Sequence, residues 1–144
     1  MNAIVNSNSS IKIGKEETAI SITYNEAFKY ANIFFCIKKE WEDSLIFTQG
    51  DQKIIIEKIK GKNNKKRKTK EECSEFIRKD KIIIMRISVN DFDYIVSNLM
   101  YYSYFKKARI DHIHVGCYNK NLGSYDLTFC FEDHNDPVTT ILVA

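Results

Sequence analysis

The sequence predicts an α+β fold, a mainly antiparallel sheet with one long and one short helix packed on one face. Three observations predict it. Short runs of branched and aromatic residues recur between turn signals along the chain. Residues 91–107 instead carry apolar side chains at helical spacing. The order of elements (strands, a short helix, a strand, a long helix, strands again) suits an antiparallel sheet with its helices on one side.

Taken in order, residues 11–13 and 19–23 are expected as short strands about Gly14. The aromatic run 32–38 predicts a strand that forms a hairpin with 44–49. Ala27, Tyr30, Ala31, Phe34 and Trp41 also fall at helical spacing, so 24–38 stays open between strand and helix. Gly50-Asp51 is a two-residue turn in which glycine supplies positive φ, and a strand over 53–60 follows. Thr69-Lys70-Glu71-Glu72 has the capping-box pattern, and Cys73, Phe76 and Ile77 would form the buried stripe of the short helix. Residues 81–88 make an apolar strand. The long helix over 91–107 follows from Phe92, Ile95, Val96, Leu99 and Met100 at helical spacing, with Asn90 as its cap. Lys106, Lys107 and Arg109 suit its negative end. Strands over 110–118 and 124–132 form a second hairpin across 119–123, and 138–143 follows the Asn135-Asp136-Pro137 turn as a last strand.

A length of 144 residues, 44% hydrophobic and 28% charged, suits one domain and excludes wholesale disorder. Residues 1–10 are expected as a flexible N-terminus and 11–144 as a single α+β domain with a basic loop at about 61–69. No repeat of about 20 to 50 residues is present, which excludes a solenoid. No apolar run is long enough to cross a membrane, and residues 1–10 lack the pattern of a secretory signal, so a cytoplasmic protein without a membrane partner is expected. The cysteines Cys36, Cys73, Cys117 and Cys130 are then expected as buried free thiols.

Charge is segregated. Residues 58–70 hold eight basic side chains and no acidic one, including Lys62, Lys65, Lys66, Arg67, Lys68 and Lys70. The remaining 14 basic residues face 19 acidic ones, so the body of the chain is acidic. Clustered lysines can bind a phosphate backbone, and a small nucleic-acid-binding or regulatory module acting through this loop is the alternative reading. The stretch has no aromatic residue for base stacking and a single arginine, so nucleic acid is not the expected partner.

No catalytic pattern is found: no nucleophile elbow, glycine-rich phosphate loop or cysteine-centred signature. No catalytic residue, cofactor or metal is therefore expected. His112 and His114 would share one face of a strand, and with Cys117 they offer metal-ligand types, but the histidines equally form the outward half of an alternating strand. His134 and Cys130 are further residues of that type. The run containing Tyr101, Tyr102 and Tyr104 exceeds what one helical face can bury, and exposed tyrosines are good interface anchors.

The C-terminal half carries His112-Ile113-His114-Val115, preceded by the long helix and followed by Leu122-Gly123-Ser124-Tyr125-Asp126-Leu127-Thr128. This resembles the "His-Ile-His … Leu-x-x-Ser-x-Glu-Leu" arrangement of small immunity proteins of bacterial polymorphic-toxin and contact-dependent growth inhibition systems. The resemblance covers residues 82–132, with Asp126 standing where glutamate is usual. It implies a non-enzymatic protein that occludes the active or substrate-binding face of a cognate toxin. The candidate toxin interface comprises Tyr101, Tyr102, Tyr104, His112, His114, Asp126, Glu132 and Asp133.

Overall fold

Thr23 and Ser88 each stand where a strand ends and a helix begins. The Glu26 carboxylate accepts from the Thr23 N–H at 3.0 Å, and the Ser88 hydroxyl accepts from the Asp91 N–H at 3.2 Å. Both arrangements satisfy amides that a helix start would otherwise leave unpaired. In the computed structural model, which describes residues 3–6, 10–60, 73–108 and 110–131, these caps open two long helices.

The elements are β1 (Ala3–Asn6), β2 (Ser10–Ile13), β3 (Glu17–Ile22), α1 (Tyr24–Lys38), β4 (Ser44–Gln49), β5 (Gln52–Lys58), β6 (Glu75–Lys79), β7 (Ile82–Ile87), α2 (Val89–Phe105), β8 (His112–Asn119) and β9 (Gly123–Phe131). The α+β class holds, with a different sheet. The strand order is β1-β4-β5-β7-β6-β8-β9-β3-β2. Hairpins β2·β3, β4·β5, β6·β7 and β8·β9 are antiparallel, while β1·β4, β5·β7, β6·β8 and β3·β9 are parallel. The sheet is thus mixed rather than mainly antiparallel, because each hairpin is antiparallel within itself but neighbouring hairpins pair through parallel strands.

Two halves of like order emerge: hairpin, helix, hairpin over β2 to β5, and again over β6 to β9. The buried helix positions correspond at constant spacing, Tyr30 with Ile95, Phe34 with Leu99, and Ile37 with Tyr102. The halves join through two parallel seams, β5·β7 and β9·β3. β1 and β2 pair with β4 and β3 respectively, which draws the two edges of the sheet together into a nearly closed barrel. At this edge the Gln49 carboxamide donates to the Ile11 carbonyl at 2.6 Å and accepts from the Ile13 N–H at 3.1 Å.

One continuous core unites the inward side chains of the sheet with both helices. The Phe34 ring packs against Phe92 on the other helix and Phe129 on β9, with ring centroids 6.2 Å and 5.6 Å apart. The helices run antiparallel, since Lys38 pairs with Asp93 at one end and Lys106 lies over the Tyr24 ring at the other.

Several sequence expectations are corrected. Residues 32–38 are the second half of α1 and not a strand, because the helical spacing buries Ala27, Tyr30, Ala31, Phe34 and Ile37 along one stripe. The predicted short helix at Cys73, Phe76 and Ile77 is strand β6. Phe76 points inward, Ile77 does not, and Asp80-Lys81 forms a tight turn with Asp80 at φ 57°. The cap of α2 is Ser88 rather than Asn90. Gly50 has the expected positive φ, 62°. None of the four cysteines is in a disulfide, yet only Cys117 is buried, while Cys36 and Cys130 are half-buried and Cys73 is exposed. The capping-box residues Thr69 to Glu72, Arg109 and the expected final strand 138–143 lie outside the described residues.

Candidate functional site

Strand β8 alternates cleanly. Ile113, Val115 and Cys117 enter the core, which leaves His112, His114 and Gly116 on the outer face. The register then selects their neighbours: His112 lies opposite Cys130, His114 opposite Thr128, and Gly116 opposite Asp126. On the far side of β9, Glu17 of β3 lies beside Asp126. His112, His114 and Asp126, singled out from sequence, therefore share one outer surface. Glu17 and Thr128 complete it.

This surface is hydrogen-bonded in a defined sense. The Thr128 hydroxyl donates to Glu17 Oε1 at 2.8 Å, and His114 Nδ1 lies 2.8 Å from Thr128 Oγ1 itself. A hydroxyl has one proton, so His114 Nδ1–H is the donor to Thr128 and Nε2 keeps its lone pair in the neutral ring. Donor atoms of Glu17, His114 and Asp126 lie within 4.8 Å of one another. His112 is engaged differently. Its Nδ1 lies 2.7 Å from Asp111, and its ring packs edge-on against His114 at 4.6 Å.

Cys117 does not join the histidines. It points into the core, and burial, reinforced by Asp91, Asp126 and Glu75, pushes its thiol up to about 12. Such a thiol stays protonated and is neither a ready ligand nor a nucleophile.

The tyrosine run divides in the same way. Tyr102 is fully buried, its hydroxyl 3.4 Å from the Ile22 carbonyl and its ring against Phe131, so it is a core residue and not an interface anchor. Tyr104 is 78% exposed and Phe105 54%, and the half-buried Tyr101 packs on Phe105 at 4.5 Å. Phe28, Phe35 and Trp41 are exposed on or just after α1. Phe28 and Phe35, not singled out from sequence, fall off the buried stripe of that helix, whereas Trp41, which the helical spacing predicts on it, lies beyond the helix end.

At the opposite end of the barrel, the hairpin turns surround an open cleft of about 410 Å³ lined by Lys15, Glu16, Phe76, Arg78 and Tyr125. Arg78 lies over the Tyr125 ring and donates to the Lys15 carbonyl at 3.2 Å. The Tyr125 hydroxyl donates to the Gly14 carbonyl at 3.0 Å and lies 2.7 Å from the Thr18 hydroxyl, which therefore donates to it. Burial raises the Tyr125 phenol, against the lowering pull of Thr18 and Arg78. These bonds brace the turns rather than present a reactive group. Of the basic stretch, Lys58 pairs with Glu40 at 2.8 Å and holds that carboxylate below its ordinary range. Lys62, Lys65, Lys66, Arg67, Lys68 and Lys70, with Glu132, Asp133 and His134, lie outside the described residues.

Comparison with protein-family models, with curated proteins and with solved structures finds no match to this chain.

Proposed function

We propose that this chain is an immunity protein that binds a cognate bacterial protein toxin and occludes its active or substrate-binding face. The observation that carries the reading is the aromatic group at the end of α2. Tyr104 and Phe105 stand exposed in mutual contact at 4.9 Å, with Tyr101 beside them. Large rings left in water on a rigid helix are the side chains that anchor protein interfaces, combining apolar area with a low entropic cost of ordering. The motif resemblance over 82–132 supports the same reading, and so does the acidic balance of the chain outside 58–70. Complementary charge would speed capture of the toxin, while a few aromatic anchors would supply most of the affinity.

The test is co-purification of the tagged chain with the product of its neighbouring gene, followed by growth rescue of cells that express that product. A stable complex and rescue, both weakened by Tyr104→Ala with Phe105→Ala, are expected. Rescue without dependence on the aromatic pair would move the interface elsewhere. Absence of both complex and rescue would sink the immunity reading.

A further inference from the structure

Glu17, His114 and Asp126 come from three adjacent strands and converge on one outer spot, with donor atoms within 4.8 Å of one another. We propose that these three side chains form a binding site for a divalent transition-metal ion of the zinc type. One imidazole and two carboxylates are ligands that zinc accepts, and three protein ligands leave a position for water.

Two further features fit a ligand at this spot. The first is Thr128, which is 96% buried (4% exposed) between the two ligand residues and bonds both. A metal-bound histidine commonly donates its second ring N–H to an oxygen that fixes its orientation, and Thr128 supplies that oxygen to His114. The second is Gly116, in mid-strand opposite Asp126. Its backbone does not adopt the positive φ that would demand glycine, and a Cβ there would sit 3.6 Å from Asp126 Oδ1. A Cβ at that distance would make only an ordinary van der Waals contact, so glycine is not required; its lack of a side chain leaves the flank of the Asp126 carboxylate open. His112 is not part of the set, because its ring nitrogens are not among the donor atoms that gather within 4.8 Å of one another.

The experiment is titration of the full chain with Co²⁺, read by visible absorption, and with Zn²⁺, read by calorimetry. One ion per chain is expected, with cobalt bands of nitrogen and oxygen ligation and no thiolate charge-transfer band. His114→Ala and Asp126→Asn should each weaken binding by at least about tenfold, and Thr128→Val by about 10- to 100-fold through loss of orientation. His112→Ala should leave affinity within about twofold, since that ring is not a ligand. His114 and His112 are exposed, and Asp126→Asn and Thr128→Val keep the size and shape of the side chain, so these variants should fold, and unchanged circular dichroism checks it. Absence of binding, a thiolate band pointing to Cys73 or Cys130, or greater sensitivity to His112→Ala than to His114→Ala would each overturn the site. The titration needs no toxin, so its outcome is independent of the immunity reading.

Discussion

Gln49 and Asn119 hold the same post in the two halves of the barrel. Each ends the first strand of its second hairpin, and each carboxamide reaches across to a backbone carbonyl of the neighbouring hairpin. Gln49 donates to Ile11 at 2.6 Å and Asn119 to Phe76 at 2.9 Å. Beside Asn119 the β6·β8 pairing is reduced to Glu75 with Tyr118. A side chain thus continues the ladder where backbone pairing runs short.

Gln49→Ala should therefore loosen the seam between β2 and β4. Two hydrogen bonds disappear at an exposed position, for a loss of about 1–2 kcal/mol. Urea unfolding measures the loss, and hydrogen exchange should show the Ile13 amide, which donates to Gln49 Oε1, exchanging faster than the Ile20 amide in the adjacent strand. Equal exchange at both amides would show that the side chain does not secure this edge.

Tyr125→Phe should cost more than its single oxygen suggests. The phenol accepts from the fully buried Thr18 hydroxyl and donates to the Gly14 carbonyl. Removing it strands a buried hydroxyl, at about 1–3 kcal/mol. Thr18→Val combined with Tyr125→Phe should be less harmful than the sum of the two, because the buried Thr18 hydroxyl is then no longer there to be left unpaired. A double-mutant cycle that proves additive would contradict the coupling.

Tyr102 and Tyr104 should behave as opposites. Tyr102→Ala empties a fully buried site against Phe131, with an expected loss of about 3–5 kcal/mol in thermal or chemical unfolding. Tyr104→Ala, on an exposed side chain, should change stability by no more than about 0.5 kcal/mol. If the end of α2 is the binding face, it should instead lower toxin affinity by about 2 kcal/mol or more.

Stability should also fall in alkali, and Cys117 gives the sign. Its folded thiol is pushed up to about 12, mainly by burial, whereas an unfolded cysteine ionises near about 8.5. Between those values the folded state holds the proton and the unfolded state has released it. The stabilisation is thus complete below about pH 8.5 and is lost progressively as pH rises toward 12. Cys117→Ala should flatten the decline in unfolding midpoint across this window. Tyr125, whose phenol is also raised, adds a decline of the same sign, and Tyr125→Phe separates the two.

Much of the second half was legible in the sequence. The β8–β9 hairpin follows from strict alternation around Gly123, and α2 from five apolar positions at helical spacing. The first half misled where two signals competed. Aromatic and branched residues in 32–38 favour a strand locally, but Thr23-Tyr24-Asn25-Glu26 is itself a capping box and the stripe beyond it closes on a buried face. Strand β6 was hidden because its turn uses Asp80-Lys81 and not a glycine. His112, His114 and Asp126 could be chosen from one stretch of chain. Glu17 could not, since it meets Thr128 across 111 residues and only the β3·β9 seam places it there.

That seam has a consequence for synthesis. β3 is among the earliest strands to leave the ribosome, and its neighbour β9 is the last of the described strands to do so. Until Phe131 has emerged, β3 keeps one edge of unpaired amides and carbonyls. The nascent chain must carry this open edge for most of its translation, a template on which another polypeptide could add a strand. Barrel closure is then a late, long-range event, and folding should be slow for a protein of this size.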